Sequence, residues 1–393
     1  MPSRPFVPRV SRYLPVLAFV VLIFLPLVFV GKWELLGPGL SENRPTHIFP
    51  KKWSINYAQQ VSDFFNDNLG FRNALVFLGS KVMFGLGVSS THPSVIVGEG
   101  GWLFFTDVPS DSGRAFMKDF RGRQNFTADE IAAIHQNFEN IGQAFSRCGM
   151  TFVLWLTPNK QTIYGEHLTG FREAKGAKRL DQLVEALREI NGLQLVDART
   201  ALLAAKTSFK DYDLYLRTDT HWNGLGAFVA YRSLIADLMH GLTLTKLENA
   251  DLANYEIRIS PFSGGDLATT MLNAKWRFID TKVDLLPRFA RLASIVPKEE
   301  ITASTGLPIT ATWSNWKNPE GVNSVVIYGD SFGIGAAPYI QEHFGRGHFI
   351  RDHVVDGEVV GRLRANVVIQ QIVERYIGIL ISKPKNLDKL CGI

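Results

Sequence analysis

Residues 323–333, NSVVIYGDSFG, restrict the possible folds of this chain more than any other stretch. Val325, Val326, Ile327 and Tyr328 form a short apolar run rich in β-branched side chains. That is the pattern of a strand buried on both faces of a parallel sheet. Gly329-Asp330-Ser331-Phe332 follows with no spacer, and then a glycine- and alanine-rich segment that opens a helix. A serine on a sharp turn at the C-terminal end of a buried strand is where open α/β sheets place their chemistry. Its hydroxyl is exposed there, and neighbouring backbone N–H groups can hold an oxyanion. Gly, Asp and Ser also suit an ordinary turn, so the serine needs a base before it implies catalysis.

Asp219-Thr220-His221-Trp222-Asn223 supplies that base. Histidine titrates nearest neutral pH, and an acidic partner fixes its tautomer and stabilises the imidazolium. Residues two apart in extended chain point the same way. Asp219 can therefore reach one ring nitrogen of His221 and leave the other for Ser331. His343, His348 and His353 lie nearer to Ser331 in sequence but have no Asp in a matching motif.

Together GDSF and DTHW resemble the SGNH hydrolase superfamily, and more closely the AlgX/AlgJ family of alginate O-acetyltransferases. Val95–Phe105 (VIVGEGGWLFF), Thr157-Pro-Asn-Lys160 with Tyr164 after it, and Val368–Arg375 (VIQQIVER) are similar to further segments of that family. The likeness covers residues 55 to 380. The order Asp, His, Ser is shifted from that of ordinary SGNH esterases, and D-x-H replaces their D-x-x-H, as in the AlgX/AlgJ form. The resemblance implies an SGNH hydrolase-like three-layer α/β/α sandwich with a mostly parallel sheet. It implies O-acetyl transfer through an acyl-Ser331, with His221 as base and Asp219 as its partner. It also implies an MBOAT-type membrane acyltransferase as donor partner and an exported, alginate-like polysaccharide as acceptor. An acetylesterase, or a non-catalytic polysaccharide-binding assembly subunit, would keep the same fold. No cofactor or metal is implied.

The oxyanion is expected to meet backbone N–H groups around Ser331 and Phe332. Phe152–Leu156 reads as a buried strand, so the loop after it should line the same cleft. There Asn159 can add an oxyanion donor and Lys160 can bind a uronate carboxylate, or the lysine is simply solvated. Tyr164 is assigned to the cleft by the resemblance alone.

The N-terminus reads as a membrane anchor. Arg4, Arg9 and Arg12 precede an apolar run, Leu14–Val30, interrupted only by Pro15 and Pro26. This predicts a single-pass signal-anchor in residues 1–31, with a cytoplasmic N-terminus and a periplasmic catalytic domain at a bacterial inner membrane. Residues 32–53 read as a linker, 54–382 as the SGNH-like domain with a less regular insertion near 243–318, and 383–393 as a loose basic tail. A net charge of +5 with no basic run interleaved with aromatics argues against nucleic-acid binding. Cys148 and Cys391 read as free or partly buried thiols, although export would permit a bridge.

Among the remaining elements, two helices are expected in 54–87 and a strand pair in 95–105. A helix capped by Thr127 and Glu130 runs to Arg147, and a second helix spans 177–190. Strands are expected at 193–196, 213–216, 255–262, 275–283, 348–355 and 367–373. Helices are expected from Asn223, as N-cap, to Met239 and over 336–344.

Overall fold

The apolar runs become strands of one mixed sheet. The computed structural model of the chain describes residues 10–30, 47–106, 116–171, 173, 175–308, 310 and 313–391. In chain order the strands are β1 (Val95–Val97), β2 (Leu103–Phe105), β3 (Thr151–Thr157), β4 (Leu193–Asp197), β5 (Tyr255–Phe262), β6 (Asp280–Pro287), β7 (Ser294–Ile295), β8 (Trp313–Lys317), β9 (Val322–Tyr328), β10 (Phe344–Ile350) and β11 (Val367–Val373). The main sheet has the order β4-β3-β11-β9-β10-β8-β7. Its first five strands are parallel, and β8 and β7 extend one side antiparallel. β1 with β2, and β5 with β6, form separate antiparallel pairs.

Successive side chains of a strand point to opposite faces, and the central strands bury both. Val153, Trp155, Val325, Ile327, Val367 and Ile369 pack with helices Ala198–Ser208, Gly224–Leu238 and Ser331–Ile340. Phe152, Leu154, Val326, Val368 and Ile372 pack with helices Ala128–Arg147, Arg179–Leu187 and Gly357–Leu363. The result is an α/β/α sandwich. The capping box at Thr127 forms as read: its hydroxyl accepts the Glu130 N–H at 3.2 Å, and the Glu130 carboxylate accepts the Thr127 N–H at 2.8 Å.

By its contacts the chain divides into Met1–His92 with Ala268–Arg277, and Pro93–Leu267 with Phe278–Ile393. The boundary read at residue 54 thus lies inside the first unit, which also takes ten residues from the expected insertion. That unit holds helices Val10–Val28, Tyr57–Asn68 and Arg72–Gly85. Gly70 sits against Pro26 and Phe29, where a Cβ would come within 2.5 Å of the Phe29 side chain. Among the described residues no helix is long and apolar enough to cross a membrane. Residues 1–9 of the basic stretch before the apolar run, and most of the expected linker, lie outside the described residues.

Several expectations are corrected. Cys148 and Cys391 form a disulfide, and the tail is not loose. Lys385 N–H donates to Val355 O at 2.9 Å, and Leu390 is buried among Phe138, Val360 and their neighbours. Residues 213–216 make one isolated bridge, Tyr215 to Trp222, instead of a strand, because their backbone groups serve the turn that carries His221. The helix after Gly-Asp-Ser begins at Ser331 itself, β6 runs later than read, and β10 earlier.

The disulfide closes a loop of 243 residues, which restricts the unfolded chain strongly. Cys391→Ser should therefore lower the unfolding free energy by about 2–5 kcal/mol. Guanidinium denaturation of both proteins would test this, and an unchanged midpoint would mean the thiols are not paired.

Candidate active site

Three loops at the C-terminal ends of β3, β9 and β11 meet in the second unit, as the parallel sheet requires. β9 delivers Asp330 and Ser331 at the start of helix Ser331–Ile340. Asp330 caps that helix: its Oδ1 accepts the Phe332 N–H at 2.8 Å, and its Oδ2 accepts the Val373 N–H of β11 at 2.9 Å. Gln371 of β11 holds the same turn from below. Its Oε1 accepts the N–H groups of Asp330 (2.9 Å) and Gly333 (3.1 Å), and its Nε2 donates to Thr157 Oγ1 of β3 at 2.8 Å.

His221 lies across this turn, with its Nε2 2.7 Å from Ser331 Oγ and its Nδ1 2.6 Å from Asp219 Oδ1. Asp219 also accepts the His221 N–H on Oδ1 (3.0 Å) and the Asp266 N–H on Oδ2 (2.8 Å). These partners set the tautomer: Nδ1–H donates to Asp219, and Nε2 accepts from the serine hydroxyl. Burial alone would push the Asp219 carboxyl up, but the His221 hydrogen bond and charge and the two N–H donors hold it below the usual range. The arrangement can take a proton from Ser331 and return it.

Asp219, His221 and Asp266 each bring a ligand-type atom within 4.8 Å of the others. The carboxylate oxygens already accept hydrogen bonds from Thr220, His221 and the Asp266 N–H, so the cluster is complete as a hydrogen-bond network. The competing histidines face elsewhere. His343 bonds Tyr231 and Thr245 O, His348 bonds Asn315, and His353 Nε2 stands 3.6 Å from Asp330 Oδ2 behind the turn.

Three assignments made from the sequence change. The Phe332 N–H is spent on Asp330, so it is not an open oxyanion donor. The Phe332 ring instead packs 5.3 Å from His221 and 4.8 Å from Trp222, under the Arg375 guanidinium. The Ser331 N–H has no protein acceptor among the described residues, so of the two N–H groups expected for the oxyanion it is the one left open. Lys160 is neither solvated nor aimed at a ligand. It is buried, and its Nζ donates to the carbonyl oxygens of Leu216 (3.0 Å), Arg217 (3.0 Å) and Asp219 (2.5 Å). Burial lowers its pKa to about 8, against the pull of Asp266, Asp219 and Asp280. Tyr164 is buried too, stacked on Trp102, and its hydroxyl accepts the Leu214 N–H at 2.8 Å. Both residues support the His221 loop from beneath.

Asn159 stays near the cleft. Its backbone N–H donates to Glu374 (2.8 Å) and its Oδ1 accepts from Arg375 (3.3 Å), which leaves its Nδ2 group without a protein acceptor among the described residues. Asn223 is the helix cap expected of it, with its Oδ1 accepting the Leu225 and Gly226 N–H groups.

Sequence reasoning missed Asp266, Gln371 and Thr157. Two signals were available. Gln370 and Gln371 are polar residues inside a strand buried along its whole length, and Gly264-Gly265 precedes Asp266. A Cβ on Gly265 would stand 2.1 Å from Thr218 O, so this loop lies directly on the Asp219 segment.

The family model for the SGNH hydrolase-like domain of the acetyltransferase AlgX matches residues 95–303, more than half of the chain. The chain belongs to the AlgX family. Among curated relatives, the probable alginate O-acetylase AlgJ of Pseudomonas syringae pv. tomato is 28% identical over 251 residues, 63% of this chain and 59% of that protein. The AlgJ of Azotobacter vinelandii is 31% identical over 207 residues, 52% of this chain and 47% of its own length. The chain thus spans about two fifths to three fifths of the length of the curated relatives it matches. Among solved structures, PatB1 of Bacillus cereus superposes with a TM-score of 0.52 at 14% identity, covering 74% of this chain and 97% of that one. This last likeness concerns the fold alone.

Replacing Lys160 by Met leaves the Leu216 and Asp219 carbonyl groups without their donor, while Arg217 O keeps the Leu103 N–H at 2.8 Å; each group left unpaired costs about 1–3 kcal/mol. Lys160→Met should lower the unfolding free energy by about 3 kcal/mol or more with no ligand present. A variant as stable as wild type, but with a raised KM for an acidic acceptor, would return Lys160 to ligand binding.

Proposed function

We propose that this chain is a periplasmic O-acetyltransferase that moves an acetyl group through an acyl-Ser331 onto a hydroxyl of an exported, alginate-like polysaccharide. The observation that carries the reading is the unbroken hydrogen-bonded array Ser331 Oγ to His221 Nε2 and His221 Nδ1 to Asp219. As Ser331 Oγ attacks the acetyl carbonyl of the donor, its proton passes to His221 Nε2. The Ser331 N–H and the Asn159 Nδ2 group supply donors for the oxyanion. Collapse breaks the bond to the donor's leaving oxygen, which takes the proton from His221. A sugar hydroxyl then gives its proton to His221 and attacks the acetyl-serine, and Ser331 recovers the proton as the ester bond to the sugar forms. Asp219 stays ionised throughout and stabilises the imidazolium.

The family and the names of the curated relatives favour acetyl as the group and a polyuronate as the acceptor. An MBOAT-type membrane acyltransferase is the proposed source of the acetyl group. Export is supported by the Cys148–Cys391 disulfide, since such bonds persist in oxidising compartments. Attachment to the inner membrane is proposed for the N-terminal segment, where Phe19, Leu22 and Phe24 of helix Val10–Val28 expose most of their surface.

The full chain, wild type and Ser331→Ala, is incubated with an activated acetyl ester, with and without oligouronate acceptors. Wild type should gain one acetyl group on Ser331 by intact mass and pass it to the sugar. Ser331→Ala should lose turnover by on the order of 10⁴-fold or more. Release of free acetate in the presence of good acceptors would make the protein an esterase. Equal inertness of both proteins, with sugar binding retained, would make it a binding subunit.

A further inference from the structure

A second carboxylate stands beside the base. Asp266 enters on the Gly264-Gly265 loop, far from His221 in sequence, and its N–H and both carboxylate oxygens are directed at the His221 turn. Its N–H donates to Asp219 Oδ2 at 2.8 Å. Its Oδ1 accepts the Thr220 N–H at 2.8 Å, and its Oδ2 accepts the Thr220 hydroxyl at 2.6 Å. Oδ2 lies 3.9 Å from His221 Nδ1, and the Thr220 hydroxyl oxygen lies 3.2 Å from the same nitrogen. Thus Nδ1, which shares the positive charge once Nε2 is protonated, faces two carboxylates, one directly and one across a hydroxyl.

We propose that Asp266 is a positioning residue for the acyl transfer: it orients Asp219 and Thr220 against His221 and adds a second negative charge to the imidazolium formed each time the base takes a proton. The inference rests on the acyl-serine reading above. His221 is about 30% exposed, so water screens its pairing with Asp219. A reaction with two nucleophilic attacks also forms the imidazolium twice per cycle, and a second fixed carboxylate supports both. The charged groups that face Asp266 are Asp219 and His221, with the buried Lys160 amine beyond them. Asp280, which binds Thr218, acts on that same amine. The donors to the Asp266 carboxylate are neutral Thr220 groups. Burial, followed by the Asp219 charge, raises the Asp266 carboxyl above its usual range, and the Thr220 bonds oppose the rise.

The test compares full-length wild type, Asp266→Asn and Thr220→Val in kcat/KM for an activated acetyl ester across pH. It also follows the His221 ring signals by NMR over the same range. A nearby negative charge favours the protonated ring, so its removal lets the ring lose its proton at lower pH. Asp266→Asn should lower kcat by about 10-fold with KM nearly unchanged. It should also move the acid limb of the profile and the midpoint of the ring signals to lower pH. Thr220→Val removes the bridging hydroxyl and keeps the charge, so the rate should fall while the acid limb stays in place.

An Asp266→Asn protein whose limb and ring midpoint match wild type would overturn the proposal and leave Asp266 a strut of its loop. Thr220→Val turning over as fast as wild type would overturn it as well, and decides the matter if Asp266→Asn fails to fold. The ring midpoint needs no turnover. If Ser331 proved not to be acylated, the acyl-serine reading would fall while the effect of Asp266 on His221 was still measured.

Discussion

One side-chain amide joins the three strand ends that build the site. Gln371 sits in a β11 buried along its whole length and turns its carbonyl oxygen to two N–H groups of the Ser331 turn and its NH₂ to Thr157 of β3. An unpaired amide in that position would be costly, so β3, β9 and β11 must keep their register for the group to be satisfied. The same amide explains both glycines of GDSFG. A Cβ at Gly329 would lie 2.8 Å from Gln371 Oε1, and one at Gly333 2.7 Å from it. The two glycines let the turn descend onto the amide. Asp330 then closes the turn from the other side through Phe332 and Val373, and Ser331 is left as the residue of the turn with a free N–H and an outward hydroxyl.

The base is held by a different device. Residues 213–223 form no regular strand, and the carbonyl groups of Leu216 and Asp219 receive no backbone N–H among the described residues. Buried carbonyl groups need donors, and Lys160 supplies three hydrogens from one atom. An ammonium group suits this task better than any neutral side chain, because it presents three donors at once. Its burial is unfavourable, as the fall of its pKa to about 8 indicates, and the carboxylates of Asp219, Asp266 and Asp280 offset that cost. The anionic groups around His221 and the buried cation beneath it therefore depend on each other. Glu374 repeats the pattern on the β3 loop, where it accepts the Asn159 N–H and the Thr162 hydroxyl and so fixes the segment that brings Lys160 in.

What could be read from the sequence was what local spacing encodes. The β9 run, the turn after it, the Asp219–His221 pairing and the Thr127 capping box all depend on residues within a few positions of each other, and each forms as read. The parts that failed depend on distant partners. Lys160 looked like a surface loop lysine because nothing near it in sequence shows that three carbonyl groups some 56 to 59 residues away surround it. The Phe332 N–H looked open because its competitor is the side chain of Asp330, and an N-cap and an oxyanion hole have the same sequence signature. Asp266 sat in the least regular region, where no periodicity marks a core. The cysteines gave no spacing at all, since their pairing spans 243 positions.

That long span has a consequence for the site. Thr157 to Thr162, the His221 loop, Asp266, the Ser331 turn and the end of β11 all lie between Cys148 and Cys391. No two consecutive members of this set are close in sequence, so the site exists only when the whole sandwich has closed. Its contents work against that closure. A buried ammonium, a buried Glu374 whose carboxyl is raised by desolvation and an Asp266 carboxyl raised by burial and the Asp219 charge are all less favourable in the folded protein than in water. Joining the two ends of this long segment acts on the opposite side of the balance, by limiting the unfolded chain, and chain-entropy accounting puts the effect for a loop of this size at about 5 kcal/mol. The bridge makes no contact with Ser331 and needs none. It stabilises every arrangement in which the ends meet, and so lets the polar chemistry of the site sit in a fold whose local contacts alone would favour it less.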